Sequence, residues 1–437
     1  MLQILTVLLL SSAPQTDPAA PLVAQTRALV EGLIAGRTAP VVQRYDPRMA
    51  AALPEAQLAL TITSLKQQTG EFRSITATRT QVRGDIRVVV ATCDFVNGPV
   101  DVTVAYDDKD RIVGLNMRPA TVVSEYRPPD YASIDRFTES EVTVDAGGWP
   151  LPGTLSMPKG EGPFPGVVLV HGSGPGDRDE SIAGVNRPFK DLAWGLASKG
   201  VAVLRYDKRT LTHAGRFDSI PNFTVKDETI DDALAAVALL RRTHGIRADR
   251  IFVAGHSLGG MLAPRIGARD PKLGGLIVLA GAVRPLEDSI LAQTRYLAEL
   301  DGVVSDAERE QIAAAETVVT KARAMKPGDP PLTGALASGP ASYIIDLRGY
   351  HPPTVAKTVA MPVLVLQGER DYQVTMADFE AWRTALGERR DVRFISYPPL
   401  NHLFFSGTGK SSPAEYRQPA HVDAAVIADI WKWIAER

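Results

Sequence analysis

Hydrophobic positions in the N-terminal part of the chain follow helical spacing first and strand-like patterns afterwards. Apolar residues recur at helical spacing in Leu22–Ala35 and Pro54–Gln68. Four β-rich segments separated by Gly, Asn and Asp turns follow, with the sequences RSITATRT, IRVVVATCDFV, VDVTVAYD and RIVGLNM. This order of helices and strands predicts a small α+β domain over residues 21–119.

In the remainder of the chain, residues 135–437, short and continuously apolar runs alternate with segments of helical period. The runs include GVVLV, VAVLRY, RIFVA, LIVLA and PVLVLQ. A strand covered on both faces is apolar at every position, so this pattern predicts a mostly parallel α/β sheet with helices on both sides. Residues 120–134, which contain several Pro, Ser and Tyr, are expected to link the two domains.

Residues 285–360 interrupt the alternation of strands and helices. This stretch is helix-prone and has no strand pattern; SDAEREQIAAAETVVTKARAM begins with an N-capping Ser305, and a Gly- and Pro-rich segment follows it. An insertion between two strands, at the edge where their carboxyl ends open, is placed to act as a lid or substrate wall. A helical excursion that only stabilises the surface predicts the same pattern, so both interpretations stay open.

Composition changes this picture in only a few respects. The 437 residues are 45% hydrophobic and 22% charged with a formal net charge of -2, so no strong field draws in nucleic acid or an anionic membrane. The single Cys93 excludes an internal disulfide and is expected to be a buried strand residue. No segment after the N-terminus is long and apolar enough to span a bilayer.

The N-terminal segment has the pattern of a secretory signal. Apolar residues from Leu2 to Leu10 precede small residues, with a plausible cleavage site at Ala13. No Lys or Arg precedes the apolar stretch and Pro14 follows the cleavage site, so a leader without a sorting role is the alternative. We expect residues 1–20 to be a signal peptide and the protein to be periplasmic or secreted. Without such a signal it would be cytoplasmic.

The most informative motif is Gly255-His256-Ser257-Leu258-Gly259, which fits the pattern G-x-S-x-G. It follows the strand RIFVA and precedes a helical segment, the context in which this pattern places a nucleophilic serine on a strained turn. Side chains two residues before and after the serine would collide in so tight a bend, which explains the glycines. Ser257 is therefore the candidate nucleophile, and an ordinary turn serine is the alternative.

A serine hydroxyl becomes a good nucleophile only when a histidine removes its proton, and an acid must hold that histidine. Asp371 follows the strand PVLVLQG and His402 follows the strand VRFISY, in the chain order Ser, Asp, His. Loops that leave the carboxyl ends of neighbouring parallel strands meet at one edge of a sheet. We expect Asp371 to orient His402, and His402 to act as the base for Ser257.

Other acids and histidines compete for these roles. Glu369 lies closer to the end of its strand than Asp371, and Glu287 and Asp288 follow the strand LIVLA, where a variant arrangement would carry its acid. His421 begins the last helix, where a solvent-facing polar residue is expected. The histidines expected to give structural support or to lie away from the site are His171, His213, His244, His256 and His351.

Acyl transfer also needs fixed N–H donors for the oxyanion that forms on the attacked carbonyl. The first N–H of the helix after the nucleophile belongs to Leu258. The second donor is expected in the loop HGSGPG after the strand GVVLV, because its glycines let the backbone approach the substrate. Ser173 is the candidate in that loop.

Together these residues resemble the α/β-hydrolase superfamily over residues 135–437. Within it, HGSGPGDRDE, DLAWGLASKGVAVLRYDKRT and GHSLGG are similar to exported bacterial esterases related to dienelactone hydrolases and to prolyl-oligopeptidase-type catalytic domains. The resemblance implies a triad of Ser257, Asp371 and His402 and oxyanion donors at Ser173 and Leu258. The strands of the small first domain hold no cluster of His, Asp, Glu and Ser at catalytic spacing, so we expect it to be an interaction or positioning module. It resembles the cystatin-like or transport-factor-like domains that precede some exported bacterial hydrolases.

The expected activity is hydrolysis of small-molecule carboxylic esters through an acyl-enzyme intermediate, without a metal or cofactor. No phosphate-binding loop or zinc-ligand spacing occurs in the sequence. A peptidase, an amidase or an acyl-thioesterase would use the same residues, and a non-catalytic binding protein on a hydrolase scaffold is the alternative of another class. The charged segments 177–179 and 207–209 are expected to form a structural network around the oxyanion loop.

Overall fold

The structure is a computed structural model that describes residues 20–83, 85–96, 98–120, 126–217, 219–332 and 339–437. Apart from residue 20, the predicted signal peptide lies outside the described residues. The chain divides into two compact units, Met1–Val123 and Ser124–Arg437. Among the helices described, none is long and apolar enough to cross a membrane.

The first unit is an antiparallel sheet with helices packed against it. Its helices are α1 (Ala20–Ile34), α2 (Ala39–Val42), α3 (Pro47–Ala52) and α4 (Glu55–Thr69), and its strands are β1 (Phe72–Arg83), β2 (Ile86–Phe95), β3 (Val100–Tyr106) and β4 (Ile112–Pro119). The strands pair in the order β1-β2-β3-β4. Alternate residues of β3, from Val100 to Tyr106, join the core with Cys93 and residues of α1, which is the two-residue period of a sheet with one face on its core. The predicted α+β unit is confirmed, and α2 and α3 are short helices that the apolar pattern did not predict.

The second unit contains an eight-stranded mixed sheet. Its strands are β5 (Phe137–Asp145), β6 (Pro150–Pro158), β7 (Phe164–Val170), β8 (Ala202–Tyr206), β9 (Ile246–His256), β10 (Gly275–Leu279), β11 (Val363–Gly368) and β12 (Val392–Tyr397). They are ordered β12-β11-β10-β9-β7-β8-β6-β5. Strands β7 to β12 pair in parallel, whereas β5 and β6 form antiparallel pairs at one edge. The mostly parallel sheet predicted from the sequence is confirmed.

Helices cover both faces of this sheet. They are α5 (Pro188–Ala197), α6 (Arg209–Thr212), α7 (Ala214–Phe217), α8 (Asp231–Arg242), α9 (Leu258–Arg269), α10 (Leu286–Ala298), α11 (Asp306–Ala324), α12 (Ala341–Arg348), α13 (Pro352–Ala356), α14 (Met376–Leu386) and α15 (Ala424–Ala435). Residues of α8, α9 and α14 share one hydrophobic core with Val253, and residues of α5 and α15 share another with Phe252. Consecutive residues of β9 thus enter opposite cores, which is why this strand is continuously apolar.

The helical insertion predicted over residues 285–360 lies between β10 and β11. It contains α10 to α13, and its described part has no strand. Ser305 begins α11 with a capping box that it forms with Glu308. Tyr343 and Leu347 of α12 are buried in the core shared with α8 and α9. This part of the insertion is therefore a packed layer of the unit.

Part of the predicted linker is fixed on the second unit. The Tyr126 hydroxyl donates a hydrogen bond of 2.6 Å to Asp191 Oδ1, and the Tyr131 hydroxyl donates one of 2.7 Å to the carbonyl oxygen of Val422. Both partners lie far along the chain, so no local pattern indicated these contacts. Tyr126 and Tyr131 therefore pack with the second unit.

Candidate active site

Ser257 occupies a sharp turn between β9 and α9. Its backbone has φ 52° and ψ -113°, a conformation that residues other than glycine rarely adopt. The flanking glycines are sterically required, because a Cβ on Gly255 would lie 2.2 Å from the carbonyl oxygen of Gly259, and a Cβ on Gly259 would lie 2.2 Å from that of Val170. The turn is therefore the strained strand-to-helix bend expected from the motif.

Asp371 and His402 follow the adjacent parallel strands β11 and β12. Nδ1 of His402 lies 2.6 Å from Asp371 Oδ2, and both residues are buried. Since a carboxylate only accepts hydrogen bonds, Nδ1 carries the proton, which leaves Nε2 as the nitrogen available for proton transfer. The two residues that the sequence predicted as acid and base are in direct contact.

The Asp371 carboxylate is held in place by its own loop. Oδ1 accepts hydrogen bonds from the backbone N–H groups of Gln373 at 2.7 Å and Val374 at 3.0 Å. Oδ2 accepts a third from the Gln367 side chain at 3.1 Å in addition to the one from His402. Fixed donors on both oxygens limit the orientations open to the imidazole.

Two adjoining cavities meet at Ser257. The smaller, of about 190 Å³, is lined by Ser257 together with His402 and Ser173. The larger, of about 1050 Å³, is lined by Ser257, Ser173 and Leu258, and its remaining wall is mostly apolar. The five residues predicted for catalysis thus gather at one place, with Asp371 behind His402.

The two predicted oxyanion donors are free to bind a ligand. Among the described residues, no hydrogen bond within the chain involves the N–H of Ser173 or that of Leu258. Leu258 is the first residue of α9, where backbone N–H groups have no partner inside the helix. Both residues line the larger cavity beside Ser257. Binding of an oxyanion next to the serine would require such N–H groups.

Residues 167–408 match the protein family described as "Serine aminopeptidase, S33". The chain is also 40% identical over 373 residues to the Esterase EstD of Thermotoga maritima, a match that covers 85% of each chain. The chain belongs to this hydrolase family. The predicted membership of the α/β-hydrolase superfamily is thereby confirmed. Residues 27–115 match a second family, described as a protein of unknown function.

Esterases are among the solved structures to which this chain is similar. Est1E from Butyrivibrio proteoclasticus, solved with ferulic acid, is 19% identical, with 68% of this chain and 98% of that chain covered at a TM-score of 0.45. An esterase from Pyrococcus furiosus is 16% identical, with 73% of this chain and 97% of that chain covered at a TM-score of 0.44.

A second buried acid–base pair supports the site of this hydrolase. His256 Nδ1 lies 3.1 Å from the Glu180 carboxylate, and His256 Nε2 donates to the carbonyl oxygen of His402 at 3.0 Å. Burial alone would lower the pKa of His256, but the Glu180 carboxylate outweighs it, so that pKa is raised. Glu180 also accepts the backbone N–H of Gly172 at 2.8 Å. The pair therefore joins the His402 loop to the oxyanion loop.

Glu180 was missed in the sequence analysis. It lies in the segment GPGDRDE, and only its position in a glycine-rich loop after β7 distinguishes it from other acids. His256 was expected to support the turn, and it is a buried residue that contacts both Glu180 and the carbonyl oxygen of His402. His171 was expected to brace the oxyanion loop, and its Nε2 lies 2.8 Å from the carbonyl oxygen of Asp177 in that loop.

Two of the competing acids and His421 have partners other than His402. Glu369 accepts a hydrogen bond from Ser396 at 2.8 Å, and Asp288 forms an ion pair with Arg323 at 2.5 Å. His421 pairs with Asp191 at 3.0 Å. Two other histidines also have partners of their own: a ring nitrogen of His213 lies 2.8 Å from the carbonyl oxygen of Pro150, and one of His351 lies 2.8 Å from the hydroxyl of Thr354. Glu287 is buried in the first turn of α10.

The charged segments around the oxyanion loop form the ion-pair network that was expected. Arg178 pairs with Asp207 at 3.1 Å, and Arg205 bridges Asp179 and Glu139. Lys208 and Arg209, which follow Asp207, form separate ion pairs with Glu228 and Asp232.

Proposed function

We propose that this protein hydrolyses carboxylic esters through an acyl-enzyme intermediate. Ser257 Oγ attacks the ester carbonyl carbon while His402 Nε2 takes the hydroxyl proton, and the N–H groups of Ser173 and Leu258 bind the resulting oxyanion. His402 then returns the proton to the departing alkoxide, and a water molecule repeats the sequence on the acyl-enzyme to release the acid. The observation that carries the proposal is the 2.6 Å contact of His402 with Asp371 beside the cavity that Ser257 lines.

The charges around Ser257 favour a neutral ester over the amino-terminal end of a peptide. Recognition of an ammonium group needs a carboxylate whose charge is not already neutralised. The carboxylates among the described residues that line the two cavities are Glu228 and Glu180, and each has a partner: Glu228 binds Lys208 at 2.9 Å and Glu180 binds His256 at 3.1 Å. Arg284 of the larger cavity is paired with Asp378 at 2.7 Å. The site therefore suits a substrate without net charge near the scissile bond.

The positions of the cavities support an assignment of the two halves of the ester. His402 has to protonate the leaving oxygen, so the alcohol half lies on the side of His402, in the smaller cavity of about 190 Å³. The larger cavity of about 1050 Å³ adjoins both oxyanion donors and takes the acyl group. We infer that the preferred substrates join a bulky acyl group to a small alcohol.

The test is labelling and turnover of Ser257→Ala. We expect this variant to lose nearly all hydrolysis of p-nitrophenyl butyrate, about 10⁶-fold in kcat, and all labelling by a fluorophosphonate probe. Ser173→Ala is the matched control: it removes another hydroxyl from the same cavities but keeps its backbone N–H, so labelling persists. Labelling of Ser257→Ala in folded protein would overturn the role of Ser257. Folded wild type that neither turns over nor reacts with the probe would identify a binding protein.

Amide hydrolysis is the second candidate, because the matched family is described as a serine aminopeptidase. Butyryl p-nitroanilide and p-nitrophenyl butyrate share one acyl group and differ in the atom that leaves. We expect the ester to be hydrolysed with the larger kcat/KM after correction for the uncatalysed rates. A larger enzymatic acceleration for the anilide would support the peptidase alternative.

We also propose that the protein is exported, which rests on the apolar stretch from Leu2 to Leu10 and the small residues after it. Mass analysis of the mature N-terminus after expression in a bacterium tests this. Cleavage after Ala13 and recovery from the periplasm or medium are the expected results, and an intact N-terminus in the cytosol would contradict the proposal.

A further inference from the structure

The oxyanion loop is held from behind by a buried lysine. Lys208 follows β8, and its ammonium group lies 3.0 Å from the carbonyl oxygen of Gly172. The Lys208 side chain is only 3% exposed, so this contact is shielded from water. Lys208 does not line either cavity, so it is out of reach of a substrate.

The contact determines where the N–H of Ser173 points. The carbonyl group of Gly172 and the N–H of Ser173 belong to one planar peptide unit, and in a trans peptide these two groups point in opposite directions. Because Lys208 holds the carbonyl on the protein side, the N–H of Ser173 faces the other way, toward the cavities that Ser173 shares with Ser257. A cation on the carbonyl also polarises the peptide, which makes its N–H a stronger donor.

The lysine is itself held by residues from two distant segments. Glu228, in a π-helical turn just before α8, binds the Lys208 ammonium through Oε1 at 2.9 Å. Its Oε2 accepts a hydrogen bond of 2.7 Å from the hydroxyl of Tyr343, a buried residue of α12 in the insertion. Glu228 and Tyr343 both line the larger cavity. The chain of contacts thus runs from the helical insertion to the oxyanion loop.

We propose that Lys208 is a positioning residue for transition-state binding, and that Glu228 and Tyr343 hold it in place. This proposal rests on the proposed function, in which the N–H of Ser173 binds the oxyanion. The Lys208 relay, defined as Tyr343, Glu228, Lys208 and the Gly172 carbonyl, fixes one oxyanion donor before substrate arrives. It also gives the helical insertion a direct influence on the rate of the chemical step.

The chain offers a matched control in the next residue. Arg209 forms an equally buried ion pair with Asp232, with side chains 5% and 1% exposed, but makes no contact with the oxyanion loop. Lys208→Met and Arg209→Met each leave a buried carboxylate without its partner, so both should lower thermal stability. Only Lys208→Met should affect the oxyanion donor.

The experiment compares these variants in turnover and in two inhibitor affinities. Trifluoromethyl hexyl ketone adds to Ser257 and forms an oxyanion, whereas methyl hexyl ketone reports binding of the uncharged carbonyl. For Lys208→Met we expect kcat for p-nitrophenyl butyrate to fall by about 10- to 100-fold, part of the loss for one whole oxyanion donor, with KM within about threefold. The affinity for the trifluoromethyl ketone should fall by the same factor as kcat/KM, and that for the methyl ketone should hold. Arg209→Met should keep kcat within about threefold.

Several outcomes would overturn the proposal. If Lys208→Met loses no more kcat than Arg209→Met, or if the two ketones lose affinity equally, Lys208 has only a structural role. If Lys208→Met does not fold, Glu228→Gln provides the test. The proposal requires this variant to lower the ratio of trifluoromethyl ketone affinity to methyl ketone affinity, and an unchanged ratio would refute the Lys208 relay. Tyr343→Phe should lower that ratio by about two- to fivefold, as expected for one hydrogen bond. Failure of the proposed function would look different, because wild-type protein would then neither turn over nor form the trifluoromethyl ketone adduct.

Discussion

The two sides of Ser257 are held in different ways. On the side of the base, Asp371 and His402 leave the ends of adjacent strands and touch each other directly at 2.6 Å. On the oxyanion side, the proposed donors are backbone N–H groups, and Lys208 binds the carbonyl oxygen of the peptide unit to which one of them belongs. A single substitution can remove a reacting side chain. A backbone N–H donor stays in place when its own side chain is changed, so it can be altered only by substituting residues that position its loop.

The same comparison shows how the sides are joined. Gly172 donates its N–H to Glu180 and accepts from Lys208 at its carbonyl, so two buried ion pairs hold one residue. Glu180 binds His256, and His256 binds the carbonyl oxygen of His402. The base loop and the oxyanion loop are therefore parts of one hydrogen-bonded structure. We expect substitutions of the reacting groups on the base side to abolish most of kcat. Substitutions on the oxyanion side should lower kcat by smaller and varying factors.

The largest effect is expected on the base side. Asp371→Asn should lower kcat for p-nitrophenyl butyrate by about 10⁴-fold, because the amide favours the wrong tautomer of His402. Glu369→Gln is the matched control: this acid lies two residues away and binds Ser396, so its activity should match wild type. Steady-state kinetics on both purified variants check the prediction. Comparable losses would show that the acid had been assigned to the wrong residue.

The next effect concerns the cavities on the two sides. Ethyl octanoate and octyl acetate are isomers with the long chain on opposite sides of the ester bond. We expect kcat/KM to be about 10- to 100-fold higher for ethyl octanoate, the range that a few misplaced methylenes produce in an apolar pocket. Titration of the released acid measures both rates. A preference for octyl acetate would reverse the assignment of the cavities while leaving ester hydrolysis intact.

A smaller effect is expected when the oxyanion loop is shifted without replacing either of its charged partners, Glu180 and Lys208. A Cβ on Gly172 would lie 3.3 Å from Ser257 Cβ and 3.3 Å from Glu180 Oε1, closer than usual. Gly172→Ala should therefore shift the loop and lower kcat by about tenfold, a fraction of one donor's contribution. Gly215→Ala, where a new Cβ meets nothing within 4 Å, is the control. Wild-type kcat in Gly172→Ala would mean that the loop adjusts freely.

The smallest effect is a change in stability with pH. Glu180→Gln removes the charge that raises the pKa of His256, and we expect the free energy of unfolding to fall by about 1–3 kcal/mol near pH 5.5. Because the pKa of His256 is higher in the folded than in the unfolded protein, it stabilises the fold at pH values below the unfolded-state pKa, near 6.5. That stabilisation is lost as the pH rises through the folded-state pKa. The lowered pKa of Glu180 stabilises it above about 4.5, and this is lost as pH falls. Urea unfolding of wild type and Glu180→Gln from pH 4 to 9 measures the difference between their free energies of unfolding. We expect this difference to become smaller toward both ends of the pH range; a constant difference would refute the charge pairing.

The sequence by itself determined the elements and the candidates for chemistry. Continuous apolar runs predicted the buried strands, because strands such as β9 place alternate residues in two cores. The glycines around Ser257 were readable because a bend of this tightness admits no other residue at Gly255 or Gly259. Asp371 and His402 could be proposed because parallel strands bring their carboxyl ends to one edge.

Only the tertiary structure decided which residues support these groups. Glu180 and His256 are 76 positions apart. Lys208 contacts the Gly172 carbonyl directly, and Tyr343, from a separate part of the chain, is connected to Lys208 through Glu228. No period or spacing encodes such pairs, because a buried charge needs a partner in space and the fold can supply that partner from any segment. The cavities on the two sides of Ser257 follow the same rule, since their walls combine the insertion, the oxyanion loop and the ends of several strands.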